Sequence, residues 1–173
     1  MSYHSALCDE MKKLAEDPKV IFLGQQTAAE NFYGTLEGID MSKRLEMPVA
    51  EELQMGMSIG LALEGYLPIS IYQRMDFLLR GADQIVNHLD LIEKLSEGKF
   101  APKVIIRTTI GSHFPLDVGL QHNKDLVEGF RALVHFPVLR LTTEEEVREG
   151  YRIARECKGP IMLVEEQDHY NDK

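Results

Sequence analysis

At 173 residues the chain has the length of one compact domain, or two very small ones, and its 44% hydrophobic residues are enough to fill a core. Its 27% charged residues lie near the globular average, which excludes wholesale disorder and fibrous architectures. With 28 acidic against 19 basic residues the net charge is −9, which disfavours a nucleic-acid-binding face but leaves room for a local basic pocket that takes a small anion.

Ala6, Leu7, Met11, Leu14 and Ala15 recur at helical spacing, and Asp17 with Pro18 ends that helix. Residues 20–24 form a short apolar run closed by glycine, which reads as a strand buried on both faces. Residues 25–47 carry no clear period and read as a connection. Pro48 suits the first turn of a helix over 48–64, and Gly65 stops it. A strand follows at 68–72. Leu78, Leu79, Ala82, Ile85, Val86, Leu89 and Ile92 then predict one long helix over 76–95. Residues 104–108 are a strand, and 111–123 an irregular loop rich in Gly, Pro, Ser, Asp and His. A helix over 124–133 leads to a strand at 137–141. Thr142 and Thr143 cap the next helix, with Glu144, Glu145 and Glu146 favoured by its dipole. It ends near Gly159, and the last strand is 161–165.

This alternation predicts an α/β fold: one domain over 1–173, three layers α/β/α with a mostly parallel central sheet. Such sheets bind ligands beyond the carboxyl ends of their strands. Gln25, Gln26, Arg74 and the polar residues of the 111–123 loop therefore gather around one edge.

Cys8 and Cys157 have no metal-ligand spacing and read as two reduced thiols of a cytosolic protein. The first ten residues lack the charged-then-apolar order of a signal peptide, and no apolar run approaches the roughly 20 residues that span a bilayer. A cytoplasmic location with neither membrane nor nucleic-acid partners is the expectation. Dinucleotide and P-loop glycine motifs, His-Glu-x-x-His and the nucleophile elbow do not occur.

The informative stretch is Glu51, Glu52, Gly56, Met57 and Gly60. Gly56 and Gly60 share a helical face, at a cost of roughly 1 kcal/mol each in a helix interior, so they call for close packing on the sheet or a neighbour. Taken alone, Glu51 reads as a first-turn glutamate favoured by the helix dipole.

Together these residues resemble the pyrimidine-binding domain of thiamine-diphosphate-dependent enzymes, whose glutamate, glycine, apolar residue and glycine match Glu51, Gly56, Met57 and Gly60 in order. Leu78, the run Asp83, Gln84, Ile85, Val86, Asn87, and later Gly119, Gln121 and His122 are similar to the beta subunit of 2-oxoacid dehydrogenase decarboxylase components. Transketolase and deoxyxylulose-phosphate synthase share the domain type. The resemblance implies thiamine diphosphate as cofactor, with Glu51 contacting a ring nitrogen of its aminopyrimidine and favouring the imino tautomer. It makes Glu51 and His122 the catalytic residues, His122 facing the substrate as a proton-transfer group; a solvated loop histidine is the alternative.

Where the beta subunits carry an aromatic on the pyrimidine ring, this sequence has Arg74 and Met75, so that cofactor contact falls to Tyr72, Met75 or Phe77. Gln25 and Gln26 replace an acidic pair, and Leu61 replaces a glutamine. Arg74 could meet an anionic substrate group or stay solvated. Gln25, Gln26, Arg74 and His113 are the substrate candidates, with His113 read as structural more than catalytic. No metal ligands are expected in this chain.

The family's Gly-Asp-Gly motif, followed roughly 30 residues on by asparagine, holds the diphosphate through Mg2+ or another divalent metal. It does not occur here, and the chain stops after its last strand with a polar tail from Gln167. The expectation is half an active site, completed by a Gly-Asp-Gly-containing subunit in an α2β2 assembly, with the paired glycines at a subunit interface. The substrate would be a small keto compound or sugar phosphate, in 2-oxoacid decarboxylation or ketol transfer. A non-catalytic binding or regulatory subunit of the same fold is the alternative.

Overall fold

The computed structural model describes residues 2–114 and 116–171. In chain order these form α1 (Tyr3–Ala15), β1 (Val20–Gly24), β2 (Arg44–Glu46), α2 (Glu51–Leu63), β3 (Leu67–Tyr72), α3 (Ile92–Leu95), β4 (Ile105–Ile110), α4 (Val127–Leu133), β5 (Val138–Leu141), α5 (Glu144–Glu156) and β6 (Ile161–Glu166). The strands make one sheet in the order β2-β1-β3-β4-β6-β5, and every neighbouring pair is parallel.

Side chains alternate across a strand, so each strand feeds two cores. Phe22, Ile69, Ile71, Ile105, Ile161 and Leu163 face α1 and α5. Tyr72, Ile106, Ile110, Met162 and Val164 face the opposite layer of α2, residues 75–89 and α4. The layers are therefore three, α/β/α. Thr143 and Glu146 cap the start of α5 reciprocally, side chain to backbone in both directions.

The long helix expected over 76–95 is broken. A 3-10 turn (Met75–Arg80), a π-helical turn (Gln84–Leu89) and α3 take its place. Gly81 presses on the start of α2, where a Cβ would sit 3.2 Å from the Glu51 carbonyl oxygen. Leu78, Ile85 and Leu89 still reach the core. The apolar spacing is honoured; a tertiary contact rewinds the backbone.

The connection over 25–47 contains the edge strand β2, which its lack of period concealed. Asn31, Phe32 and Tyr33 lie at φ of 53°, 42° and 54°, left-handed backbone that costs roughly 1–2 kcal/mol per residue. Arg44 offsets this by donating to Asn31 Oδ1 and to the carbonyls of Leu36 and Ile39, each at 2.5 Å. The expected polar tail from Gln167 is a 3-10 turn (Gln167–Asn171). Residues 172 and 173 lie outside the described residues, as does Pro115 in the 111–123 loop. No helix among the described residues is long and apolar enough to cross a membrane.

Candidate functional site

Glu51 is the first residue of α2, not the fourth as a helix beginning at Pro48 would make it. Ala50 supplies no capping side chain, so the helix start is covered by the first-turn carboxylates Glu51 and Glu52. Glu51 is 9% exposed. Its backbone is held from β3, where the Tyr72 hydroxyl donates to the Glu51 carbonyl at 3.2 Å. One turn on, the buried Gln54 amide donates to the Ile71 carbonyl at 2.9 Å and to Ser70 Oγ at 3.2 Å. Those bonds lock the start of α2 onto the carboxyl end of β3.

Before this carboxylate opens a groove of about 510 Å3, lined by Val49, Glu51, Leu53, Arg80 and Gln84 among others. Its walls carry two carboxylates at the helix start, Glu51 and Glu52, with a guanidinium, an amide and three aliphatic side chains. This donor set fits the polar edge of a flat heterocycle. Gln54, Arg80 and Gln84 were not among the expected site residues. Gln54 did leave a signal, as an amide on an otherwise apolar face one turn after Glu51.

The structure distributes the expected cofactor contacts unevenly. Tyr72 and Met75 are buried in the core, at 2% and 0% exposure, and Met75 Sδ accepts from the Leu126 amide at 3.4 Å. Burial pushes the Tyr72 phenol far above its usual range. Phe77 is half-buried and meets His122 edge to face, with ring centroids 5.6 Å apart. The two residues lie far apart in sequence yet form one aromatic pair.

The substrate candidates lie on the same edge, but in two separate settings. Arg74 folds back on the chain, donating to the Gly111 carbonyl and to Gln167 Oε1, the latter at 2.9 Å. It lines a second cavity, of about 370 Å3, with Tyr33, Ser112 and Tyr170. Gln25 and Gln26 follow β1, and the Gln26 amide donates to Glu46 at 2.6 Å. The Gln26 side-chain oxygen is buried without a hydrogen-bond partner. His113 is exposed, with Nδ1 donating to Asp168 Oδ2 at 2.9 Å.

In-chain packing does not account for the paired glycines. A Cβ on Gly60 would meet nothing within 4 Å, and one on Gly56 only the Gln84 side chain at 3.6 Å. Leu53 and Met57 on the same helix are 56% and 38% exposed. Among the described residues nothing approaches Gly60 closely.

A wholly parallel α/β sheet with a carboxylate at a helix start on its carboxyl edge defines a ligand-binding domain of the doubly covered type. The whole chain, residues 1–173, matches the family described as "Transketolase, pyrimidine binding domain", and the protein belongs to that family. Among curated relatives, the pyruvate dehydrogenase E1 component subunit beta of Leifsonia xyli subsp. xyli is 27% identical over 165 residues, 91% of this chain and 48% of the relative. The 3-methyl-2-oxobutanoate dehydrogenase subunit beta of Mycobacterium tuberculosis is 27% identical over 176 residues, 97% of this chain and 48% of the relative. The chain thus spans about half the length of these relatives. A solved structure titled "Split gene transketolase, inactive beta4 tetramer" superposes with a TM-score of 0.71 at 20% identity, over 96% of this chain and 52% of that one, which supports the fold.

Proposed function

We propose that this chain supplies the pyrimidine-binding half of a thiamine-diphosphate-dependent active site, which makes or breaks a carbon–carbon bond next to a carbonyl. The observation that carries the reading is Glu51: a carboxylate 9% exposed at a helix start, opening on a groove whose donor set suits an aminopyrimidine. The cofactor, when bound, supplies the stabilised carbanion chemistry.

The chain's own residues have distinct tasks. Glu51 shares a proton with the ring nitrogen of the bound heterocycle, and the low local dielectric strengthens that bond. Gln54 and Tyr72 hold Glu51 in place through backbone carbonyls. Phe77 offers the aromatic face, because Tyr72 and Met75 are sealed in the core. His122, held edge-on to Phe77, transfers a proton at the substrate. Gln25, Gln26, Arg74 and His113 belong to the outer edge of this site, with Arg74 the group suited to a carboxylate or phosphate.

A separate Gly-Asp-Gly subunit completes the site, holding the diphosphate and its Mg2+ in an α2β2 assembly. Support comes from Val49 and Leu53, apolar groove walls at 80% and 56% exposure that would be covered by a partner. The full chain is co-expressed with such a subunit and assayed with a 2-oxoacid and with a ketose phosphate. The wild-type complex is expected to turn over, the chain alone is not, and Glu51→Gln abolishes activity while assembly is preserved. Retained activity in Glu51→Gln defeats the assignment, and an assembled but inactive wild-type complex favours a binding or regulatory role.

A further inference from the structure

The loop after β4 is pinned by the two residues that follow His122. Two residues on, Lys124 is tied to Asp76 of the 75–80 turn, amide to Oδ2 at 3.2 Å and Nζ to Oδ1 at 3.5 Å. Between them, Asn123 Nδ2 donates to His113 Nε2 at 3.1 Å. The same imidazole donates from Nδ1 to Asp168 Oδ2, and Asp168 Oδ1 accepts the amides of His113 at 2.6 Å and Phe114 at 3.1 Å. A chain of contacts therefore runs from the C-terminal turn through His113 to the residue next to His122. His122 has little else to set its ring: its amide closes a turn onto the Gly119 carbonyl at 3.0 Å, and its edge meets Phe77.

We propose that His113 is a positioning residue, which orients His122 by holding Asn123 and resets that hold when its own ring is protonated. The claim rests on the reading of His122 as the substrate-facing proton-transfer group. The geometry dictates the tautomer. Asp168 at Nδ1 accepts only from an N–H, so the neutral ring keeps its proton there and leaves Nε2 as the acceptor for the Asn123 amide. A second proton turns Nε2 into a donor, which Asn123 can meet only by turning its amide so that Oδ1 accepts, and the side chain is reset. The groups acting on the ring are Asp168 and Glu166 from the end of the chain and Asp117 from its own loop, all carboxylates. The hydrogen bond to Asp168 leads in holding the imidazole above its ordinary range, so the reset sets in at a higher pH than an ordinary histidine would give.

The test is a titration of the full 15N-labelled chain from about pH 5 to about pH 9, following the imidazole nitrogens. The His122 ring should show its own midpoint and a second inflection at the midpoint of His113. Asn123→Ala should remove that second inflection while His113 still titrates. His113→Gln, which keeps an acceptor but cannot titrate, should remove it too and serves if Asn123→Ala fails to fold. In the reconstituted complex Asn123→Ala should lower kcat about tenfold with KM nearly unchanged. A His122 ring blind to the His113 midpoint, or an inflection that survives Asn123→Ala, overturns the proposal. Glu51→Gln assayed alongside separates the two claims: full turnover there defeats the functional reading, whereas the titration judges the His113 link by itself.

Discussion

Arg107 on β4 and Glu165 on β6 meet with no exposure to solvent, Nε to Oε1 at 2.7 Å and Nη2 to Oε2 at 2.9 Å. Register explains the meeting. Arg107 lies opposite Leu163, so Glu165 is its diagonal neighbour on the same face. Tyr151 donates to Glu165 Oε1 at 2.5 Å, Tyr170 donates to Oε2, and Arg107 Nη1 donates to Thr35 at 2.9 Å. The guanidinium also lies 4.7 Å from the Phe32 ring centroid. One buried pair thus joins α5, the C-terminal turn and the left-handed segment of the long connection. Burial pushes both phenols well up, aided by the adjacent carboxylate.

Breaking this pair from one side strands a buried charge. Arg107→Met should cost about 3–5 kcal/mol in urea unfolding. Adding Glu165→Gln should cost far less than it does alone, with a coupling energy of about 2 kcal/mol or more in the double-mutant cycle. Additive losses would mean that the two groups are solvated separately.

Two glycines should behave in opposite ways. A Cβ at Gly24 would lie 2.3 Å from the Ile71 carbonyl oxygen, in backbone at φ +157°, so Gly24→Ala should destabilise by about 3 kcal/mol. Gly60→Ala meets open space and should stabilise the isolated chain by up to about 1 kcal/mol. The same change should weaken assembly with the proposed diphosphate-binding subunit. Thermal unfolding of the chain and a binding titration of the complex read the two effects.

Gln54 anchors the turn that carries Glu51. Gln54→Met leaves the buried Ile71 carbonyl without its amide and should cost about 1–3 kcal/mol. Calorimetry of the assembled complex should also show weaker cofactor binding than for Leu61→Met on the same helix.

The tie between His113 and Asp168 has a pH window with two edges. The imidazole is raised, first by its bond to Asp168, so its contribution is complete below the ordinary histidine range and fades as pH rises through the raised value. Burial pushes the Asp168 carboxyl up, but hydrogen bonds from the His113 ring and the His113 and Phe114 amides outweigh it and leave the group lowered. Its contribution is complete above the ordinary carboxylate range and fades as pH falls through the lowered value. Hydrogen exchange at 112–114, corrected for intrinsic rate, should be slowest between those limits. Asp168→Asn should flatten the profile.

Much of the architecture was legible because apolar blocks have a period. The runs at 20–24, 68–72, 104–108, 137–141 and 161–165 could be strands buried on both faces, and strands of that kind alternating with helices leave a parallel sheet as the economical arrangement. Residues 76–95 misled because their spacing is helical although their backbone is not: Gly81 must approach the Glu51 carbonyl, and the chain rewinds to allow it. The edge strand β2 was hidden by its length, three residues without alternation.

Linear sequence therefore determined the α/β layering, since each strand and most helices depend on residues within a few turns of one another, whereas the start of α2 at Glu51 and not Pro48 did not follow from it. Tertiary structure alone decided the partners of Arg107 and His113, which lie 58 and 55 residues away. Strand register and a returning C-terminal turn bring those groups together, and no local spacing encodes either. It also sealed Tyr72 and Met75 in the core while half-buried Phe77 stays against His122, because only packing settles which side chains solvent can reach.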